Sequence, residues 1–326
     1  MTLPDQLDPE IAEAIRAMPI PDMDESLLAA IREFPFPVAD LSDAVTREEM
    51  EVPATNPGDL PVPVRVHAPA DRSGPLPGVV AIHGGGYVIG DRTMYDMTFD
   101  QWCIDPGMVA VSVGYRLAPE TPYPGPLEDC YRSLVWTVEH AEALGIDPTC
   151  IGVYGASAGG GLAAGLALLA RDRGQVDLAF QFLQYPMIDD RQLTPSSQLE
   201  DLHVWSRHSN TFGWKAYLGD RYGDEDLAIY AAAARAQDQD LVGLPPTYIC
   251  VGSLDGFRDE DIAYAQRLLW AGVPTELHVL PGVPHGFEMT GDSAMARQSA
   301  HNADEWIRRQ LRDLRTDRPT GPGAAE

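Results

Sequence analysis

Short apolar runs that alternate with helix-like stretches place this 326-residue chain in the α/β class, as a mostly parallel sheet covered by helices on both faces. The runs lie at 76–84, 107–115, 149–155, 178–186, 245–253 and 275–282. Stretches with helical periodicity fall between and after them, at 126–143, 158–171, 259–271 and 294–315. The third of these is well punctuated, with Asp259 and Glu260 in its first turn and Gly272 just past its end.

The remaining segments follow in order. Residues 8–19 and 24–34 read as two short amphipathic helices interrupted by Pro19 and Pro21. Residues 51–69 read as a hairpin, with turn chemistry at Pro57-Gly58-Asp59 and alternation in "VPVRVHAP". Residues 190–235 are rich in aromatics without clean periodicity, and read as an insertion over the sheet. Residues 316–326 have the composition of a flexible tail.

The formal net charge of −26 disfavours nucleic acid and anionic membrane surfaces as partners. The first residues carry acids where a signal peptide carries bases, and no window is apolar for long enough to span a bilayer. Cys103, Cys130, Cys150 and Cys250 form no C-x-x-C pair and read as buried reduced thiols, so a cytoplasmic location is expected, with no metal.

Gly155-Ala156-Ser157-Ala158-Gly159 matches G-x-S-x-G between a strand and a helix of small residues. Such a turn is sharp and tolerates no bulk beside the serine. Taken alone it is equally a glycine-rich turn with a serine N-cap. A serine hydroxyl becomes a useful nucleophile only when an oriented base takes its proton. Asp255 and His285 meet that need, because each falls in the loop after a later strand, in the order Ser, Asp, His. The other histidines lie within strands or helices or precede the acid. Asp259 and Glu260 read better as first-turn helix charges, while Asp189 and Asp190 stay open as weaker alternative acids.

His83-Gly84-Gly85-Gly86 follows the first apolar run. Bare backbone there suits N–H groups that must reach an oxyanion, although H-G-G-G by itself is also a flexible turn. His83 is expected to brace the loop and not to serve as the base.

These motifs, with "YRLAPE" (115–120), "PYPGPLEDC" (122–130) and "HGF" (285–287), resemble the hormone-sensitive-lipase family of α/β-hydrolases, in its bacterial esterase branch, across roughly residues 75–310. The resemblance implies an α/β-hydrolase fold with a helical cap. The cap would comprise residues 1–50 and an insertion at about 190–230, and the catalytic domain 51–315. It implies hydrolysis of carboxylic esters without a cofactor. Ser157 would be the nucleophile, His285 the base and Asp255 its orienter. The amides of Gly85, Gly86 and Ala158 would form the oxyanion hole, with Gly84 as an alternative to Gly86. A small-molecule ester is the expected partner, and a homodimer through an edge strand at 275–282 is expected as well.

Amide, lactone or acetylated small-molecule substrates fit the same residues. So does a receptor on this fold, although such receptors lack the catalytic histidine. Tyr87, Trp205, Phe212 and Trp214 are candidate substrate contacts. Trp205, Phe212 and Trp214, with Tyr217, read equally as the cap's own core. The chain also departs from the family pattern twice. Ala156 stands where an acid is usual, which removes a charge that ties down nearby loops. Gly256 stands where proline is usual, which should loosen the loop that carries Asp255.

Overall fold

The structure, a computed structural model, describes residues 7–17, 21–33, 40–55, 60–199 and 202–316. The expected turn at Pro57-Gly58-Asp59 lies outside the described residues, as does the tail beyond Thr316. Helices α1 (Pro9–Ala17) and α2 (Glu25–Glu33) precede the antiparallel pair β1 (Val45–Val52) and β2 (Val62–Pro69). There follow β3 (Leu76–Ile82), α3 (Asp96–Ile104), β4 (Val109–Val113), α4 (Gly125–Glu139), α5 (Ala141–Leu144), β5 (Ile146–Ala156) and α6 (Ala158–Arg173). The chain continues through β6 (Gln181–Gln184), α7 (Arg207–Leu218), β7 (Thr247–Gly252), α8 (Arg258–Trp270), β8 (Thr275–Leu280) and α9 (Ala294–Thr316).

The strands form one eight-stranded sheet in the order β1-β2-β4-β3-β5-β6-β7-β8. β2 runs antiparallel to both neighbours, and the pairings from β4 to β8 are parallel. Alternate residues of each inner strand feed two separate cores. Val80, Ile82, Val111, Val153 and Ile249 pack towards α4, α6 and α8. Val79, Ala81, Tyr154, Phe182 and Tyr248 pack towards α1, α3 and α9. Burial on both faces accounts for the continuously apolar runs. Each such side chain contributes roughly 1.5–3 kcal/mol.

Three expectations need correction. The sheet begins at Val45, so a boundary between residues 50 and 51 cuts through a paired strand. The stretch 126–143 is two helices, α4 and α5, divided at His140. Helix α3 was not expected. Its inner face carries Phe99, Trp102 and Cys103 but also buried Asp96 and Asp100, so the sequence has no clean apolar stripe. Those acids are matched by Arg47, whose Nε lies 3.0 Å from Asp100 Oδ1, and by Arg65, whose Nη1 lies 3.2 Å from Asp96 Oδ2.

Helix α2 and the residues before it sit on the same side as the 190–235 segment, in the core that also holds Trp214 and Tyr217, whereas α1 packs on the opposite face. The Met23 N–H donates to Ser209 Oγ of α7 at 2.8 Å. Arg32 donates from Nε to the Val88 carbonyl and from Nη2 to the Ala118 carbonyl, both at 2.8 Å, which ties α2 to the loops after β3 and β4.

Candidate active site

Strand β5 delivers Ser157 to a turn with φ 57° and ψ −122°, a strained conformation for a residue with a side chain. The glycines around it have no room for more. A Cβ on Gly155 would stand 2.1 Å from the Gly159 carbonyl oxygen, and one on Gly159 would stand 2.2 Å from the Ile82 carbonyl oxygen. Helix α6 therefore lies directly against the end of β3.

Three strand ends converge on the serine. Ser157 Oγ is 2.8 Å from His285 Nε2, and His285 Nδ1 is 2.8 Å from Asp255 Oδ2. His285 follows β8 and Asp255 follows β7; all three side chains are buried. The second oxygen of Asp255 accepts the Phe257 N–H at 2.9 Å, which fixes the carboxylate plane. With the proton on Nδ1 facing the carboxylate, Nε2 is left to accept from the serine hydroxyl.

The other acids are occupied elsewhere. Asp189 pairs with Arg191, and Asp190 pairs with Arg235 through two contacts of 2.7 Å. Asp259 accepts the Ser196 N–H at 2.7 Å. Buried Glu260 accepts the Ile188 and Asp189 N–H groups at 3.0 Å each, anchoring α8 to the root of the 190–235 segment. Its apolar setting and nearby Asp189 raise its carboxyl well above the usual range.

The glycine loop lies against Ser157. A Cβ on Gly84 would be 3.2 Å from Ser157 Cβ. A Cβ on Gly84 would also stand 3.2 Å from the Tyr95 hydroxyl oxygen, and the Gly85 carbonyl accepts Val88 and Ile89 N–H groups at 3.0 Å. Among the described residues, no protein acceptor takes the Gly85 or Gly86 N–H. Ala158 opens α6, where the first amide has no partner in its own helix. His83 is buried with Nδ1 2.8 Å from the Gly84 carbonyl oxygen, and its ring stacks on Tyr115 at 4.2 Å. Burial holds His83 down to about 4, so it is neutral at ordinary pH.

The aromatic candidates divide. Tyr87 and Trp214 belong to the core, which corrects the expectation that Tyr87 contacts substrate and places Trp214 with the alternative reading of a core residue. Tyr87 stacks on Tyr217 at 4.0 Å and donates its hydroxyl to the Met187 carbonyl, and Trp214 is fully buried beside it. Trp205 and Phe212 are only partly buried. A Cβ on Gly86 would meet the Trp205 ring at 2.2 Å, so this ring covers the glycine loop. Neighbouring residues cover the other loops: Leu202 lies over Gly256 and Val204 over Gly286.

The loop carrying Asp255 is tied down in spite of Gly256. Ser196 Oγ donates to the Gly256 carbonyl at 2.9 Å, and Arg258 Nη1 donates to the Ser253 carbonyl at 2.8 Å. The expected loosening is thus offset by bonds from the inserted segment and from α8. Sequence reasoning also missed Glu288 and Tyr185, which pack behind His285; the acid three residues after the histidine was their only signal.

The sheet and the Ser157–His285–Asp255 contacts at strand ends have the arrangement that acyl transfer through a serine requires. Residues 79–289 match the α/β-hydrolase fold family, and the chain belongs to it, within the bacterial esterase branch related to hormone-sensitive lipase. The esterase LipI of Mycobacterium tuberculosis is 36% identical over 208 residues, which is 63% of each chain. Ethyl acetate hydrolase of Pseudomonas putida is 33% identical over 214 residues, covering 64% of this chain and 65% of that one. The matched segment thus spans a little under two thirds of these relatives. Among solved structures, a bacterial heroin esterase superposes with a TM-score of 0.85 at 43% identity, covering 94% of this chain and 98% of that one. No helix among the described residues is long and apolar enough to cross a membrane.

Proposed function

We propose that the protein is a serine carboxylesterase acting on short- to medium-chain or aryl esters. The observation that carries this is the pair of 2.8 Å contacts joining Ser157 to His285 and His285 to Asp255. Ser157 Oγ attacks the ester carbonyl carbon while its proton passes to His285 Nε2. Asp255 holds the imidazole and stabilises the imidazolium. The negative charge on the carbonyl oxygen is met by the amides of Gly85, Gly86 and Ala158, each donor worth roughly 3 kcal/mol. Gly84 is the alternative to Gly86. The intermediate collapses, and the alcohol leaves with the proton from His285. Water, deprotonated by His285, then releases the acid and restores the serine.

Helix α2, the residues before it and the segment at about 190–230 act as the cap, a reading supported by the Met23–Ser209 and Arg32–Val88 contacts. Trp205 and Phe212 are the proposed substrate contacts within it. Four buried free thiols suit a reducing compartment, and the cytoplasm is the proposed location. Strand β8 ends the sheet, and its open ladder supports pairing with a second copy.

A series of p-nitrophenyl esters of increasing acyl length tests the reading. Wild type is expected to turn over the short members and fall off as the acyl chain outgrows the pocket. Ser157→Ala is expected to lose at least about 1,000-fold in kcat. Near wild-type turnover by that variant would overturn the assignment.

A further inference from the structure

We infer that Glu288 is a positioning residue for His285, holding Tyr185 against the imidazole and placing a second carboxylate behind the relay. The inference rests on the triad reading above.

The chain reverses at Gly286 (φ +61°), directly after His285, and enters a 3-10 turn over Phe287–Thr290. That reversal brings Glu288 inward. Its Oε1 accepts from both the Tyr185 hydroxyl and Gln184 Nε2 at the end of β6. The Tyr185 ring stands edge-on to His285, with centroids 4.6 Å apart, and the Tyr185 N–H donates to the Cys250 carbonyl of β7 at 2.6 Å. One carboxylate thus joins β6, β7 and the histidine loop at the side of the imidazole. Ala156 pairs in register with Gln184, and brings no carboxylate to this face.

The other Glu288 oxygen is buried without a partner among the described residues. Glu288 also lines a cavity of about 310 Å³ between α3 and α9, with Arg297 and Asp292 on the α9 side. The titratable groups facing it from the strands and α3 are Tyr95, Tyr154, Tyr185 and Cys250. Burial pushes all four up, so they stay neutral near pH 7. Asp255 is the charged neighbour on the relay side, with His285 joining it once it takes the serine proton, and Asp292, Arg297 and Asp304 are the charged groups around the cavity. Burial carries the Glu288 carboxyl up to about 7, although the Tyr185 hydroxyl and His285 pull it down. An ionised Glu288 favours the imidazolium that forms as Ser157 attacks.

The test is the pH dependence of Ser157 inactivation by a fluorophosphonate, alongside kcat and KM on a short aryl ester. The proteins are wild type, Glu288→Gln and Glu288→Asp. In wild type the acidic limb is expected to carry a step of roughly tenfold from Glu288, superimposed on a limb of slope one. Glu288→Gln keeps an acceptor for Tyr185 but no charge. It is expected to lose the step, with kcat/KM above it lower by roughly tenfold, carried by kcat and not KM. Glu288→Asp is expected to retain the step. A wild-type limb without the step overturns the inference without any variant, as does a folded Glu288→Gln with the wild-type limb. Absence of labelling at any pH overturns the triad reading, and this inference falls with it.

Discussion

Replacing Gly86 by alanine perturbs the glycine loop at a point where the structure defines the clash. Gly86 sits at φ +59°, a left-handed conformation that costs an alanine about 1 kcal/mol. The new methyl would stand 2.2 Å from Cη2 and 2.5 Å from Cζ2 of Trp205, distances that require movement. The loop has little room to retreat, because the Gly86 carbonyl oxygen already lies 2.8 Å from where a Cβ would be on Gly213 of α7. Either the Trp205 ring swings out, breaking its 3.3 Å bond to Asn210 Oδ1, or the loop shifts and carries its amides off the oxyanion position. Loop displacement is the costlier outcome, at about 3 kcal/mol of transition-state stabilisation, or roughly 100-fold in kcat. Removing the ring separates the two effects. Gly86→Ala/Trp205→Ala should recover most of kcat and keep only the backbone strain, while Trp205→Ala alone should act mainly on KM. The assay is kcat and KM on p-nitrophenyl butyrate for all four members of the cycle, with urea melts to confirm folding. Wild-type kcat together with wild-type KM in Gly86→Ala would refute the contact between the loop and the Trp205 ring. An unrecovered double variant would refute the clash as the cause.

Gly159→Ala should be far more damaging to folding, at above about 3 kcal/mol, because its methyl would meet the Ile82 and His83 carbonyl oxygens at 2.2 and 2.4 Å. A thermal melt showing less than about 1 kcal/mol lost would contradict that packing. Arg235→Ala leaves buried Asp190 without its two 2.7 Å contacts and should cost about 3–5 kcal/mol in urea unfolding, with part recovered in Arg235→Ala/Asp190→Ala. A neutral single variant would show that Asp190 finds other partners. Glu288 should also leave a mark on stability. Its folded carboxyl binds its proton more tightly than the unfolded one, so its contribution is full below the ordinary carboxyl range and is lost as pH rises through about 7. The melting temperature of wild type relative to Glu288→Gln should therefore fall between about pH 5 and 8. A constant difference would contradict the raised carboxyl.

The three candidate catalytic side chains were brought together as the sequence suggests because each sits where strand ends, turn chemistry and helix starts coincide. Ser157 is flanked by residues with no bulk, and a Cβ at Gly155 or Gly159 has no space. Asp255 and His285 each follow an apolar run, and the parallel register of β7 and β8 brings their ends together. Helix α3 was not legible because two of its inward residues, Asp96 and Asp100, are charged, and their arginines come from distant β1 and β2. Glu260 looked like an exposed first-turn acid, yet it reaches the Ile188 and Asp189 amides in another loop. Tyr87 and Trp214 show the same limit from the apolar side. An aromatic residue next to a functional loop has the same composition whether it faces a pocket or the core. Here, stacking on Tyr217 puts Tyr87 inside.

The most direct measurement is the intact mass and peptide map of the protein after exposure to a fluorophosphonate at neutral pH. A serine activated by the His285–Asp255 pair should take one adduct, on Ser157, and the adduct should vanish in Ser157→Ala and form far more slowly in His285→Ala. An unlabelled wild-type protein, or an adduct on any other residue with ester turnover intact, would contradict catalysis through Ser157.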